Sequence, residues 1–107
     1  MIASSDLFKQ YIFTGVFPRI EEHPQDQQTV LGGTVTFRCE ASTSGLSTTY
    51  KWMRICDGRD SEVKVKTASD ELSIAGVTEG HRGKYRCIVK NEFGEKESQP
   101  AELMLGM

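Results

Sequence analysis

Apolar and polar residues alternate with a period of two in several short segments, and this pattern limits the possible folds more than any other feature. In the segment 32–42, Val35, Phe37, Cys39 and Ala41 occupy alternate positions and polar residues lie between them. A period of two places every second side chain on the same face of a strand. The segment is therefore predicted to be a strand with one buried face.

Five further segments, separated by turn residues, are predicted to be strands in the same way. Pro100 suits an edge or bulge position because proline donates no ladder hydrogen bond, and Asn91 and Gly94 suit a hairpin turn. Six or seven short strands without a good helical pattern in the main body of the chain predict an all-β antiparallel sandwich or barrel. The five segments are 48–55, 62–67, 71–77, 84–91 and 95–105.

Length and charge restrict the function classes. A chain of 107 residues fits one domain, and a net charge of −2 provides no basic face for nucleic acid. No run approaches the roughly 20 apolar residues that span a bilayer, so no membrane insertion is expected.

The domain is predicted to cover residues 17–107. Residues 1–16 are expected to form a flexible leader outside it, because chain termini are usually poorly tied down. The alternative for the leader is a partner-binding helix with an apolar stripe of Leu7, Phe8, Tyr11 and Ile12.

Catalysis, metal binding and cofactor binding are not predicted. The cysteines lack metal-ligand spacing, and His23 and His81 form no recognisable ligand set with them. Cys56 and His81 are the one conceivable nucleophile and base, but they lie at opposite ends of separate strand segments. Cys56 is instead predicted to be a free loop thiol.

The order of Cys39, Trp52 and the sequence "GKYRC", which ends at Cys87, resembles an immunoglobulin domain. The resemblance implies a two-sheet sandwich in which the two cysteines lie on facing sheets and Trp52 packs against them. It also implies that Tyr85 forms a tyrosine corner and that Leu72 belongs to a core strand. Cys39 and Cys87 would form a disulfide in an oxidising compartment and remain packed thiols in a reducing one.

The spacing from Cys87 to Asn91 and Gly94 resembles the I-set class of this family, and the resemblance covers about residues 18–105. The ending "GEKESQPAEL" is similar to domains of titin, obscurin, palladin and myosin-binding proteins. One departure is His81, where the family usually has an aspartate that pairs with a basic side chain. Another is Cys56, where the family requires no cysteine.

Three functions follow from the resemblance. The first is a non-catalytic interaction and structural module of a larger cytoplasmic protein, cytoskeletal or sarcomeric, that contacts other proteins and neighbouring domains of its own chain. The second is an extracellular adhesion or receptor domain, and the third is a regulatory domain beside a kinase or paracaspase domain.

Basic residues in and around the strand segments 48–55 and 62–67 are interpreted as a solvated outer face, and docking of an acidic partner is the alternative. These basic residues are Lys51, Arg54, Arg59, Lys64 and Lys66.

Overall fold

The computed structural model describes residues 17–42, 47–56, 58–63 and 70–106, and the side chain of Cys56 lies outside this set. The described residues form ten β-strands and one 3-10 turn at Glu79–His81. The strands are β1 (Arg19–Glu22), β2 (Gln27–Thr29), β3 (Thr34–Arg38), β4 (Glu40–Ser42), β5 (Thr49–Cys56), β6 (Arg59–Val63), β7 (Glu71–Ala75), β8 (Gly83–Asn91), β9 (Gly94–Glu97) and β10 (Ala101–Leu105).

The strands form two packed layers. One layer is a six-stranded sheet in the order β2-β10-β8-β5-β6, in which β9 also pairs with β8. The other layer contains the pairs β1–β4 and β3–β7. All pairings are antiparallel except β2 with β10, which is parallel. The prediction of a two-sheet antiparallel sandwich is confirmed.

A compact aromatic cluster occupies the centre between the layers. The ring centroids of Phe37 and Tyr85 lie 5.1 Å apart, and those of Phe37 and Trp52 lie 6.4 Å apart. Trp52 stands opposite Cys87 in the β5–β8 register, so both side chains enter the same layer of the core. The alternating segments therefore direct their large apolar side chains into a thin core, as expected for a sandwich.

We call the two ends of the sandwich the upper end and the lower end, with the last residue of β8 at the upper end and its first residue at the lower end. The upper end holds the hairpin turn that follows Asn91, where β8 ends and β9 begins. The lower end holds the turn 30–33, the 3-10 turn before Gly83 and the end of β10.

The predicted single strand over residues 32–42 is wrong, because the chain breaks at Cys39 into β3 and β4. The backbone N–H of Cys39 donates to the carbonyl of Asp70 at 2.8 Å. Beyond that bond the chain leaves β7, and β4 pairs with β1 instead. A change of partner, rather than a change in apolar pattern, ends the strand.

The predicted single strand over residues 95–105 is also wrong, because it divides into β9 and β10. Ser98 fills the gap with two bonds to Cys87: its backbone N–H donates to the Cys87 carbonyl, and its hydroxyl accepts the Cys87 N–H, both at 2.8 Å. Pro100 lies in the same gap, where its missing N–H leaves no ladder bond unmade.

The remaining differences concern short strands. β6 covers residues 59–63 rather than 62–67, and Val63 is partly buried against the core. Lys64, Val65 and Lys66 lie outside the described residues, as does the 1–16 leader with its helical stripe. The expected count of six or seven strands was too low partly because β1 and β2 contain few apolar residues and give no clear alternation.

Candidate interaction surfaces

Cys39 and Cys87 lie in the core, and both side chains are 0% exposed. Both are free thiols, and the Cys87 thiol is hydrogen-bonded to Cys39. That hydrogen bond, and then burial, raise the pKa of Cys87 well above its ordinary range. A thiol that stays protonated is a poor nucleophile and a poor metal ligand. The pair therefore has a structural role here.

A polar corner at the lower end is formed by side chains of β5 and β8. The Tyr85 hydroxyl donates to the carbonyl of His81 at 2.5 Å, and Arg54 Nη2 donates to the carbonyl of Arg82 at 2.5 Å. Gly83 passes between them with φ of +147°, and a Cβ atom there would lie 3.1 Å from the carbonyl oxygen of Ile55. Glycine fits this position because a side chain would crowd β5.

His81 holds the turn that precedes this corner. Its ring nitrogen Nδ1 accepts the backbone N–H of Thr78 at 2.9 Å, which caps the 3-10 turn. The histidine thus takes a local capping role where the resemblance led us to expect an aspartate in an ion pair. This atom is engaged with the backbone, and the side chain of Cys56, its suggested catalytic partner, lies outside the described residues.

His23 also bonds to backbone rather than to a ligand set. Its Nδ1 accepts the N–H of Gln99 at 3.0 Å and so ties the segment before β2 to the gap between β9 and β10. Within the described part of the chain, no group of three or more His, Cys, Asp or Glu side chains could hold a metal ion. In that same part, no helix is long and apolar enough to cross a membrane.

On the outer face of the six-stranded sheet, a partly buried arginine pairs with two exposed acidic residues. Arg86, with its side chain 21% exposed, contacts Asp60 of β6 at 2.5 Å and Glu97 of β9 at 3.1 Å. Half-buried Met53 stands opposite it in the β5–β8 register, and half-buried Ile88 lies one row away. Sequence reasoning placed Arg86 away from the core but missed its two partners, because they come from strands on either side of β8.

The predicted basic cluster is dispersed. Lys51 points to the outer sheet face and Arg54 into the polar corner, because they lie in opposite registers of β5. Arg59 lies on β6, the last strand on that side of the sheet among those described. Lys64 and Lys66 are outside the described residues. The structure does not unite Lys51, Arg54 and Arg59 into one patch for an acidic partner.

A surface groove of about 440 Å³, called here the terminal groove, lies at the lower end. Val30 is 52% exposed and Leu31 62% exposed beside it. Hydrogen bonds hold their turn in place, from Gly32 N–H to the Val77 carbonyl at 2.8 Å and from Gly33 N–H to the Val30 carbonyl at 2.9 Å. The groove lining consists of Val30, Leu31, Glu79, Arg82, Leu105 and Gly106.

At the upper end, Phe93 is the one exposed large apolar side chain among the described residues. Phe93 is 44% exposed at the β8–β9 turn, where its N–H donates to Asn91 Oδ1 at 2.8 Å. Behind it, Phe17 packs so closely on Gly94 that a Cβ atom there would meet the ring at 2.5 Å. The sequence signal for both ends was available: apolar residues directly beside turn glycines, in "VLGG" and "EFG".

Sequence comparison identifies a family for most of the chain. A family model described as immunoglobulin domain matches residues 18–91. The human leucine-rich repeats and immunoglobulin-like domains protein 1 is 29% identical over 103 residues, which cover 84% of this chain and 9% of that protein. The chicken limbic system-associated membrane protein is 30% identical over 97 residues, which cover 87% of this chain and 28% of that protein. The chain thus spans less than a third of these relatives.

Solved structures agree in fold. The chain aligns with a structure of tandem Ig repeats of Dlar at a TM-score of 0.73 and 24% identity, covering 90% of this chain and 52% of that one. It aligns with the titin M4 domain at a TM-score of 0.68 and 20% identity, covering 86% of this chain and 98% of that one. At these identities the likeness concerns the fold alone.

Proposed function

We propose, since this chain belongs to the immunoglobulin domain family, that it is a non-catalytic protein–protein interaction module of a longer protein with several domains. The observation that carries the proposal is the use of the interior: Cys39, Cys87 and Trp52 are buried in the core, and the Tyr85 hydroxyl is bonded to the backbone. Only the sheet faces, edges and ends remain to meet other molecules. The relatives support the longer parent, because this chain covers only 9% and 28% of their lengths.

The proposed domain covers residues 17–107 and is of the I-set class. Two features support this class: the first strand is shared between both layers, as β1 and β2, and β6 adds a strand beside β5. Variable-type domains add two strands there, and constant-type domains add none. The residues on which the fold depends are proposed to be Cys39, Trp52, Leu72, Tyr85 and Cys87.

For the parent protein, we favour a cell-surface receptor or adhesion protein. The curated relatives support this choice, since one is named a membrane protein and another a B-cell receptor. In an oxidising compartment the contact between Cys39 and Cys87 would become a disulfide. In the chain-entropy description, closing that loop would add about 3–4 kcal/mol to the stability.

A second candidate is a structural module of a cytoplasmic cytoskeletal or sarcomeric protein. The lack of any Asn-x-Ser/Thr glycosylation acceptor in the sequence favours it. In that setting both sulfurs would stay reduced against Trp52. The third candidate, a regulatory domain beside a kinase or paracaspase domain, would be identified by finding such a domain in the flanking sequence.

Counting thiols separates the first two candidates. In protein purified natively from its source, denatured and alkylated without reductant, the peptides that contain Cys39, Cys56 and Cys87 should carry one alkylated cysteine in a receptor domain and three in a cytoplasmic one. Cys56→Ser is the matched control, because it should lower either count by one. Three thiols in natively purified protein would overturn the receptor proposal.

Affinity capture tests the interaction function itself. The folded chain, used as bait, should retain the same partner from its source in repeated experiments, read by mass spectrometry. Arg86→Glu should weaken capture if the outer sheet face is used, whereas bait denatured before coupling should capture none of it. A partner held equally by folded and unfolded baits would contradict a recognition surface on this fold.

A further inference from the structure

We propose that this chain associates with a second copy of itself end to end, with Phe93 of one copy seated in the terminal groove of the next. This goes beyond the proposed function, which does not specify any self-contact. Among the described residues, the exposed large apolar side chains are Val30, Leu31 and Phe93. The first two border the groove, and the third lies apart from it at the upper end.

The terminal groove suits one aromatic side chain. Its apolar walls come from Val30, Leu31 and Leu105, and its volume of about 440 Å³ is ample for a phenyl ring. Large exposed apolar side chains that adjoin one another mark contact sites more often than isolated ones. The two backbone bonds of the turn fix this wall before any partner arrives.

Phe93 is presented as a fixed projection. The side-chain oxygen of Asn91 accepts its N–H, and the Phe17 ring fills the space behind Gly94. These two contacts fix the backbone of the turn that carries Phe93. A preformed projection and a preformed groove lose little conformational freedom when they meet.

The two features lie at opposite ends of the sandwich. In the β5–β8 register, Thr49 pairs with Lys90 near the upper end, and Ile55 pairs with Lys84 near the lower end. The nine residues of β8 separate the ends by about 26 Å at roughly 3.3 Å per residue. A single chain therefore cannot close this contact on itself, so the contact is head-to-tail and open to further addition.

The charges beside the two features allow one ion pair across the contact. Glu92 and Glu95 lie beside Phe93, and Lys90 and Lys96 lie three positions from it on either side. Arg82 lines the groove, and its exposed ion pair with Glu79 has an N–O distance of 3.3 Å. Exposed pairs of this kind hold weakly, so Arg82 can turn to the incoming Glu92. The contact buries only one end of each domain, and an interface this small predicts a weak association.

Sedimentation velocity on the full chain, from about 0.02 to 1 mM, tests the proposal. The mean sedimentation coefficient should rise with concentration. Leu31→Ser and Phe93→Ser should each remove at least half of the rise, and Lys51→Ser, an exposed change on the sheet face, should leave it unchanged. Circular dichroism confirms that each variant is folded. No rise for the unmodified chain at 1 mM overturns the proposal.

Mixing the two variants gives a sharper outcome. Leu31→Ser keeps its Phe93, and Phe93→Ser keeps its groove, so a mixture should form dimers and stop there. Association lost in Phe93→Ser but retained in Leu31→Ser would instead indicate a symmetric contact between rings and overturn the proposal. Association that is lost on deletion of residues 1–16 but retained in Phe93→Ser would indicate that the leader binds in the groove. That result would also overturn the proposal.

Discussion

The middle of the sandwich and its lower end join β5 to β8 by different means. In the middle, Trp52 stands opposite Cys87, both are 0% exposed, and the stabilisation comes from apolar burial. At the lower end, Arg54 stands opposite Tyr85, and both side chains bond to the backbone of residues 81–82. Burial dominates in the first region and hydrogen bonding in the second, so substitutions should differ in cost.

Truncation of the central indole should give the largest effect. Trp52→Ala is expected to lower the free energy of unfolding by about 3–5 kcal/mol, because it leaves a cavity in a thin core. That loss is a large share of the ~5–15 kcal/mol of a typical domain. Urea denaturation followed by circular dichroism measures it. Trp52→Phe should cost clearly less, and equal costs would mean that the ring volume does not matter here.

Alkaline pH should weaken the middle more than the corner while the thiols are reduced. Since the folded pKa of Cys87 is raised, its stabilisation is present below the thiol's unfolded pKa and is lost as pH rises above it. Between about pH 8.5 and 10 the loss should reach about 1.5 kcal/mol, because the slope rises from about 0.7 kcal/mol per pH unit at the unfolded pKa to about 1.4 kcal/mol per pH unit above it.

Denaturation across this pH range, with reductant, measures the slope. Cys56→Ser is the control and should show the same slope of stability against pH. Oxidised protein in which Cys39 and Cys87 are bridged has no thiol to titrate there, so its slope should be much smaller. A reduced protein with flat stability up to pH 10 would contradict the assignment.

Loss of the corner hydroxyl should cost less than either change to the middle. Tyr85→Phe keeps the ring in the core and removes only the bond to the His81 carbonyl. A stability loss of about 1–1.5 kcal/mol is expected, the upper part of the range for one intramolecular hydrogen bond, because the His81 carbonyl loses this donor. Tyr50→Phe on β5, outside the corner, is the matched control. If the two variants lost the same stability, the hydrogen bond from Tyr85 to the His81 carbonyl would not contribute measurably to stability.

Removal of the turn cap should have the smallest effect. His81→Ala loses the acceptor for the Thr78 N–H, and a cost of about 0.5–1 kcal/mol is expected. His81→Asn should retain most of the stability, because its side-chain oxygen can accept the same bond. If both variants fell equally in thermal denaturation, the ring would act through packing instead.

The contrast between the two regions also explains what could be predicted from the sequence. The period of two located the strands around Trp52 and Cys87, and burial follows directly from that period. The breaks at Cys39 and Ser98 were missed because the partners that cause them, Asp70 and Cys87, lie 31 and 11 residues away in the chain. No local pattern records such partners.

The surfaces were harder to predict than the interior. Arg86 gains its role from Asp60 and Glu97, which only the strand order brings alongside it. The exposed side chains of Leu31 and Phe93 follow from turns whose orientation depends on other segments. By contrast, the family resemblance supplied the expectation for Tyr85, whose hydroxyl the structure places on the His81 carbonyl.

The parallel pairing of β2 with β10 has a mechanical consequence. The incoming chain and the outgoing chain run side by side there, with a further bond from Gly106 N–H to the Thr29 carbonyl at 2.7 Å. Tension applied to the two termini would slide these strands past each other, so the bonds between them would bear the load together rather than open one by one. Pulling single molecules by their termini should therefore require more force than pulling across the β8–β9 hairpin.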